Sequence, residues 1–201
     1  MNPLLMLIWL KTFAARFWRE RAWWLWLGAG WLVVSACAAP LAVAARQLDY
    51  QLKAGYLYNF AKSVDWPPPP LATEAAFQIG VLADETAYGV ISEALRDRKI
   101  GDHPVKVVLL GLTDDPSSCR VLFVPHTVSL TPAEFRARQP NAPVLLVGEK
   151  EGFAAAGGEI GFVPRGDNLR YQVNLSAAQH AGLKLSARLA NLAEVVRAPL
   201  P

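Results

Sequence analysis

Cysteine is nearly absent from this chain: Cys37 and Cys119 are the only two in 201 residues. Cys37 lies in an apolar N-terminal run, so removal of that run leaves Cys119 alone and excludes an internal disulfide. Histidine is as sparse. His103, His126 and His180 stand far apart, without the i, i+4 pairing of a helical metal site or a cysteine pair to complete one, and no metal is expected. Ser117 and Ser118 lack the surrounding G-x-S-x-G of a nucleophile elbow and read as solvated turn residues. Gly157, Gly158 and Gly161 precede a strand, whereas a dinucleotide cradle needs strand, glycines and then helix. The adjacent acids Asp84 with Glu85, and Asp114 with Asp115, read as helix caps and solvated loop positions rather than acid and base. Cys119 reads as a small core residue. The chain therefore reads as a non-enzyme with no catalytic residue and no cofactor.

Net charge is missing where it would matter. The first 45 residues hold Lys11, Arg16, Arg19 and Arg21 against Glu20, so the whole formal excess of +3 sits there. Residues 46–201 carry 16 basic and 16 acidic side chains. The basic pI of about 9.0 therefore does not announce a nucleic-acid partner, because the remaining domain has no net field to attract phosphate.

What the N-terminus does contain is apolar and aromatic. It holds both methionines and six of the seven tryptophans, and no charge occurs in the 24 residues from Ala22 to Ala45. A cationic flank followed by such a run is the order of an export signal. Ala42, Val43 and Ala44, or Val43, Ala44 and Ala45, offer small residues for cleavage. An uncleaved inner-membrane anchor is a second reading, since 24 helical residues would span about 30 Å of hydrocarbon. Val34, Ser35, Ala36 and Cys37 resemble a lipoprotein box, in which Cys37 would be lipidated. All three place the rest of the chain in the periplasm, and membrane contact is expected only through this leader. The organisation expected is thus a signal or anchor at 1–45 and one domain at 46–201.

That domain reads as a single α/β unit: a mixed, mostly parallel sheet flanked by helices, with a C-terminal antiparallel hairpin and helix. Leu52, Tyr56, Phe60 and Val64, with Leu57, mark an amphipathic helix that the prolines 67–70 stop. Strands are expected at Phe77–Leu82, Val105–Leu110, Val121–Val124 and Pro143–Val147. These are apolar on both faces, as in covered parallel sheets. Helices are expected at Tyr88–Arg98 and after Thr131, which caps a helix opening with Pro132 and running through Arg138. Glu159–Val163 and Leu169–Leu175 flank turn formers as a hairpin, with Leu169, Tyr171, Val173 and Leu175 on one face. Ser176 and Gln179 form a capping-box pattern for a short helix stopped near Gly182. A longer final helix would use Leu185, Leu189, Leu192 and Val196.

The stretch Leu52-Lys53-Ala54-Gly55-Tyr56-Leu57-Tyr58-Asn59-Phe60-Ala61-Lys62-Ser63-Val64-Asp65-Trp66-Pro67 resembles the signature of the YfiR family of periplasmic regulators. Phe77–Leu82, Cys119–Val124, Phe153–Val163 leading into Leu169–Asn174, and Ala181–Leu189 extend the resemblance, in order, over residues 49–197. It implies a binding protein that represses an inner-membrane diguanylate cyclase through the cyclase's periplasmic domain, and so modulates cyclic di-GMP and biofilm. Relatives carry disulfides, whereas this chain keeps only Cys119 after the leader, and Arg120 stands where relatives often place histidine.

Candidate binding residues are Trp66, as an aromatic anchor at a helix end, Asn59 and Lys62 on the polar side of the first helix, and Asn174 and Arg188 at the far end of the domain. Asp84 opens a loop, Asp84–Gly89, after the first strand, where open α/β sheets place ligands. A small-molecule effector is accordingly a second candidate partner, and a second copy of the chain a third. The competing functional reading is a periplasmic solute-binding or enzymatic domain that uses the crevice at the strand C-terminal ends.

Overall fold

The computed structural model describes residues 43–67, 76–140, 142–166 and 168–196. The leader readings at residues 1–42, Cys37 included, and the prolines 68–70 lie outside the described residues, whereas Val43, Ala44 and Ala45 are helical. Contacts divide the chain between Arg46 and Gln47, and the α/β domain is the second unit. Among the described residues, no helix is long and apolar enough to cross a membrane.

Helix α1 covers residues 43–62. The strands are β1 (Val64–Asp65), β2 (Phe77–Leu82), β3 (Lys99–Ile100), β4 (His103–Leu110), β5 (Val121–Val124), β6 (Leu145–Gly148), β7 (Ile160–Arg165), β8 (Asn168–Asn174), β9 (Lys184–Leu185) and β10 (Glu194–Val196). Between them lie α2 (Glu85–Ala94), a 3-10 turn (Pro116–Ser118), α3 (Pro132–Arg138), α4 (Leu175–His180) and α5 (Ala187–Asn191). The eight-stranded sheet has the order β10-β8-β7-β6-β5-β2-β4-β3. Its centre, β4-β2-β5-β6-β7, is parallel, and β8 and β3 are antiparallel to their inner neighbours. In chain order the five parallel strands run 2-1-3-4-5, a doubly wound pattern whose switch point falls between β2 and β5.

Alternate strand residues divide two cores. Ile79, Val81, Val107, Phe123, Val147, Ile160 and Phe162 pack with α1, α2, α4 and α5. Leu82, Leu122, Val124 and Leu146 pack with Val128, Phe135 of α3 and Phe153 on the other face. Helix α1 is fastened to the hairpin by aromatic contacts: Phe60 lies 4.9 Å from Tyr171 and 5.8 Å from Phe162 between ring centres. Tyr56 adds a 3.1 Å hydrogen bond to the Leu169 carbonyl.

Gly148 and Gly158 enclose the Phe153 ring so closely that a Cβ at either would lie 2.3 Å from a ring carbon. These glycines serve packing rather than phosphate. Glu159, fully buried, accepts from the Leu146 amide at 2.7 Å and from Arg136 Nη2 at 2.6 Å. Backbone pairing of β6 with β7 starts only at Val147 and Ile160, so this carboxylate supplies the partner the ladder lacks one step earlier. Burial pushes the Glu159 carboxyl up, while Arg136 and the Leu146 amide pull it back.

Several expected elements shift. Leu52 is exposed, because the buried stripe of α1 runs through Tyr50, Ala54, Leu57 and Ala61. Helix α2 begins before Tyr88, since Asp84 accepts from Ala87 N at 2.9 Å and caps it, which turns the expected Asp84–Gly89 loop into the helix start. Asn174, rather than Ser176, caps α4, and Leu175 becomes helical and partly exposed instead of ending the hairpin face. The long final helix is overturned: Leu185 joins β9, which pairs with β1, and β-branched Val195 and Val196 join β10 beside β8. Only Ala187–Asn191 remains helical, and Leu192 is left exposed.

Candidate functional site

Helix α1 runs against the direction of the parallel strands. Its Tyr50 hydroxyl reaches Asp84 just beyond the end of β2, whereas Trp66 packs on Phe77 at the start of β2. The N-terminal half of α1 therefore overhangs the C-terminal ends of the strands, at the switch point.

A connected polar cluster occupies that place. Asp84 Oδ2 accepts from Thr127 Oγ1 at 3.0 Å and from Tyr50 at 3.3 Å, tying the loop after β5 to α1 and α2. Glu149, at the end of β6, accepts from the His126 amide at 2.8 Å and touches His126 Nδ1 at 2.8 Å through the same oxygen, Oε2. Its Oε1 lies 2.7 Å from Lys53 Nζ. Among the described residues Oε1 has no other partner, and the ion pair with Lys53 holds it. Lys53, buried on α1, also pairs with Asp49 and lies 5.4 Å from the Tyr50 ring centre. The cluster can hold three loops in fixed relation. Within it the Thr127 hydroxyl donates to the Asp84 carboxylate, and the His126 ring pairs with Glu149.

The expected site residues are dispersed. Asp84 belongs to the cluster. Asn59 and Lys62 are exposed near the opposite end of α1, and Lys62 Nζ lies 5.3 Å from the Tyr58 ring centre. Trp66 is half-buried, with its Nε1 donating to the Ala61 carbonyl at 3.0 Å. Asn174 is buried, accepting from Ala177 N at 3.0 Å and donating to Ala154 O at 2.9 Å, so it is a cap and strut. Arg188 is exposed on α5. Tyr50, Lys53, His126, Thr127 and Glu149 escaped the sequence reading. One signal was available: a lysine between Tyr50 and Ala54 on the buried stripe of an amphipathic helix.

A family model described as YfiR/HmsC-like matches residues 50–194, which spans the fold from α1 to the start of β10. The chain belongs to the YfiR/HmsC-like family. A search of curated proteins returned no match. Membership in this family implies a periplasmic regulator of diguanylate cyclases rather than a catalyst. The family signature in α1 is largely architectural. Tyr56, Leu57 and Phe60 pack against the sheet side, Tyr58 donates to the Lys99 carbonyl at 2.9 Å, and Lys53 reaches Glu149.

Proposed function

We propose that this YfiR/HmsC-like chain is exported and represses an inner-membrane diguanylate cyclase by binding the cyclase's periplasmic domain, lowering cyclic di-GMP and restraining biofilm. The observation that carries the reading is the family match across residues 50–194. The geometry supports it through what it leaves accessible. Asn59, Lys62 and exposed Leu52 lie on the outward side of α1, a mixed apolar and polar surface of the kind that interface rims and anchors use. Asn174 is withdrawn from the contact set because both ends of its amide are engaged internally.

The test pairs genetics with binding. Deletion of the gene should raise cellular cyclic di-GMP, and complementation should restore it. The chain should co-purify with the periplasmic domain of a cyclase encoded beside it. Unchanged cyclic di-GMP after deletion would end the repressor reading, and a reporter fused after Pro201 that works only in the cytosol would end the export reading.

A further inference from the structure

In a doubly wound sheet a helix usually accompanies each parallel crossover. The β4 to β5 crossover has only the 3-10 turn Pro116–Ser118, so among the described residues this crossover supplies no helix to cover the ends of β2 and β4 on the α3 side. A cleft of about 180 Å³ remains there. Leu82, Leu110 and Leu122 line it, Leu130 and Phe135 wall it, and Leu112 stands exposed beside it. Gly80 shapes this floor: a Cβ there would lie 3.0 Å from the Cδ1 atoms of both Leu110 and Leu122.

The walls are fixed in advance. Asp114 Oδ2 accepts from Gly111 N at 2.8 Å, and Asp115 accepts from Ser117 N at 2.9 Å and from Ser117 Oγ at 2.8 Å. Helix α3 grips the same loop, with Arg138 Nη1 donating to Leu112 O at 3.2 Å and Gln139 to Asp115 Oδ1 at 3.2 Å. Leu130 belongs to the loop whose Thr127 bonds Asp84, so this wall continues into the polar cluster. Asp114, Asp115 and Arg138, all exposed, line its mouth, and the guanidinium is already bent onto the Leu112 carbonyl. Asp114 Oδ1 has no bonding partner among the described residues.

We propose that this cleft binds a small apolar amine, one ring in size, with its ring on the leucine floor and its ammonium at Asp114. The volume sets the size, because an apolar cavity of about 150 Å³ accommodates benzene. The excess of carboxylate at the mouth sets the sign of the charge. The proposal does not depend on the cyclase reading, since binding is measured on the isolated chain.

Benzylamine, benzyl alcohol and benzoate serve as probes in amide-shift titrations of the purified full-length chain. Benzylamine should saturate shifts confined to Leu82, Leu122 and residues 110–116 and 130–139, with benzyl alcohol weaker and benzoate weakest. Asp114→Asn should weaken benzylamine about tenfold, the scale of a charge-assisted hydrogen bond, and leave benzyl alcohol unchanged. Leu110→Phe should fill the cleft and abolish binding of all three, and Leu82→Phe is the second filling variant if the first fails to fold. No saturable shift with benzylamine, tighter binding of benzoate, or binding that survives a folded filling variant would each overturn the proposal.

Discussion

Lys53 Nζ and Glu149 Oε1 meet at 2.7 Å with both side chains almost wholly buried, joining α1 to the end of β6. Removing one member leaves a buried charge with only its more exposed second partner, Asp49 for Lys53 or His126 for Glu149. Lys53→Met or Glu149→Leu alone should therefore destabilise the domain by about 3–5 kcal/mol, and the two together by less than either single change. Urea denaturation of the four proteins closes the cycle. Additive losses would show that the pair is not coupled.

The close fit around Phe153 gives a second expectation. Gly148→Ala places a methyl group where the ring now lies, at 2.3 Å from its nearest carbon, and overpacking of this kind lowers stability by about 1–3 kcal/mol. Gly55→Ala, at an exposed helical position with open space around it, should instead be neutral or stabilising by about 0.5–1 kcal/mol. Thermal midpoints of the two variants should therefore move in opposite directions from the parent.

Trp66 tests the division between packing and recognition. Its indole lies 5.5 Å from the Phe77 ring and donates to Ala61 O. Trp66→Phe keeps much of the ring contact but loses the hydrogen bond, so stability should fall by about 1 kcal/mol. Affinity for the cyclase's periplasmic domain should remain within about twofold if packing is its task. A drop of about thirtyfold or more, the loss expected of a 2 kcal/mol hot spot, would make it an interface anchor instead.

Acid should dissolve the capping box of α3. Hydrogen bonds from the Thr131 amide and hydroxyl hold the Glu134 carboxyl below its ordinary value of 4.5. The folded state thus binds this proton less readily than the unfolded chain. The resulting stabilisation is full above the unfolded value and disappears as pH falls through the lowered folded one. Urea midpoints of the parent minus those of Glu134→Gln should be constant from pH 7 to about 5 and shrink below that. A difference that grows on acidification would reverse the assigned sign.

Much of the sheet was legible because its central strands are uninterrupted runs such as Val121–Val124, and because Thr131 and Pro132 state where α3 begins. The hairpin was legible from alternation at Leu169, Tyr171 and Val173. What failed were places where pairing partners lie far off in sequence. Leu185 and Val196 have helical spacing, yet β1 and β8 recruit them as strands, and spacing cannot reveal that competition. The polar cluster was hidden for a similar reason: Lys53 and Glu149 are 96 positions apart, and only the switch-point topology brings them together. The place of Asp84 at the strand ends was legible because that rule depends on chain order alone.

The Glu159 carboxylate has a consequence for how the chain selects its final pairing. Were β7 to slide one step along β6, the acid would leave Arg136 and the Leu146 amide, and a buried carboxyl group would lose both of its partners. Mispaired arrangements are thus penalised by electrostatics during assembly.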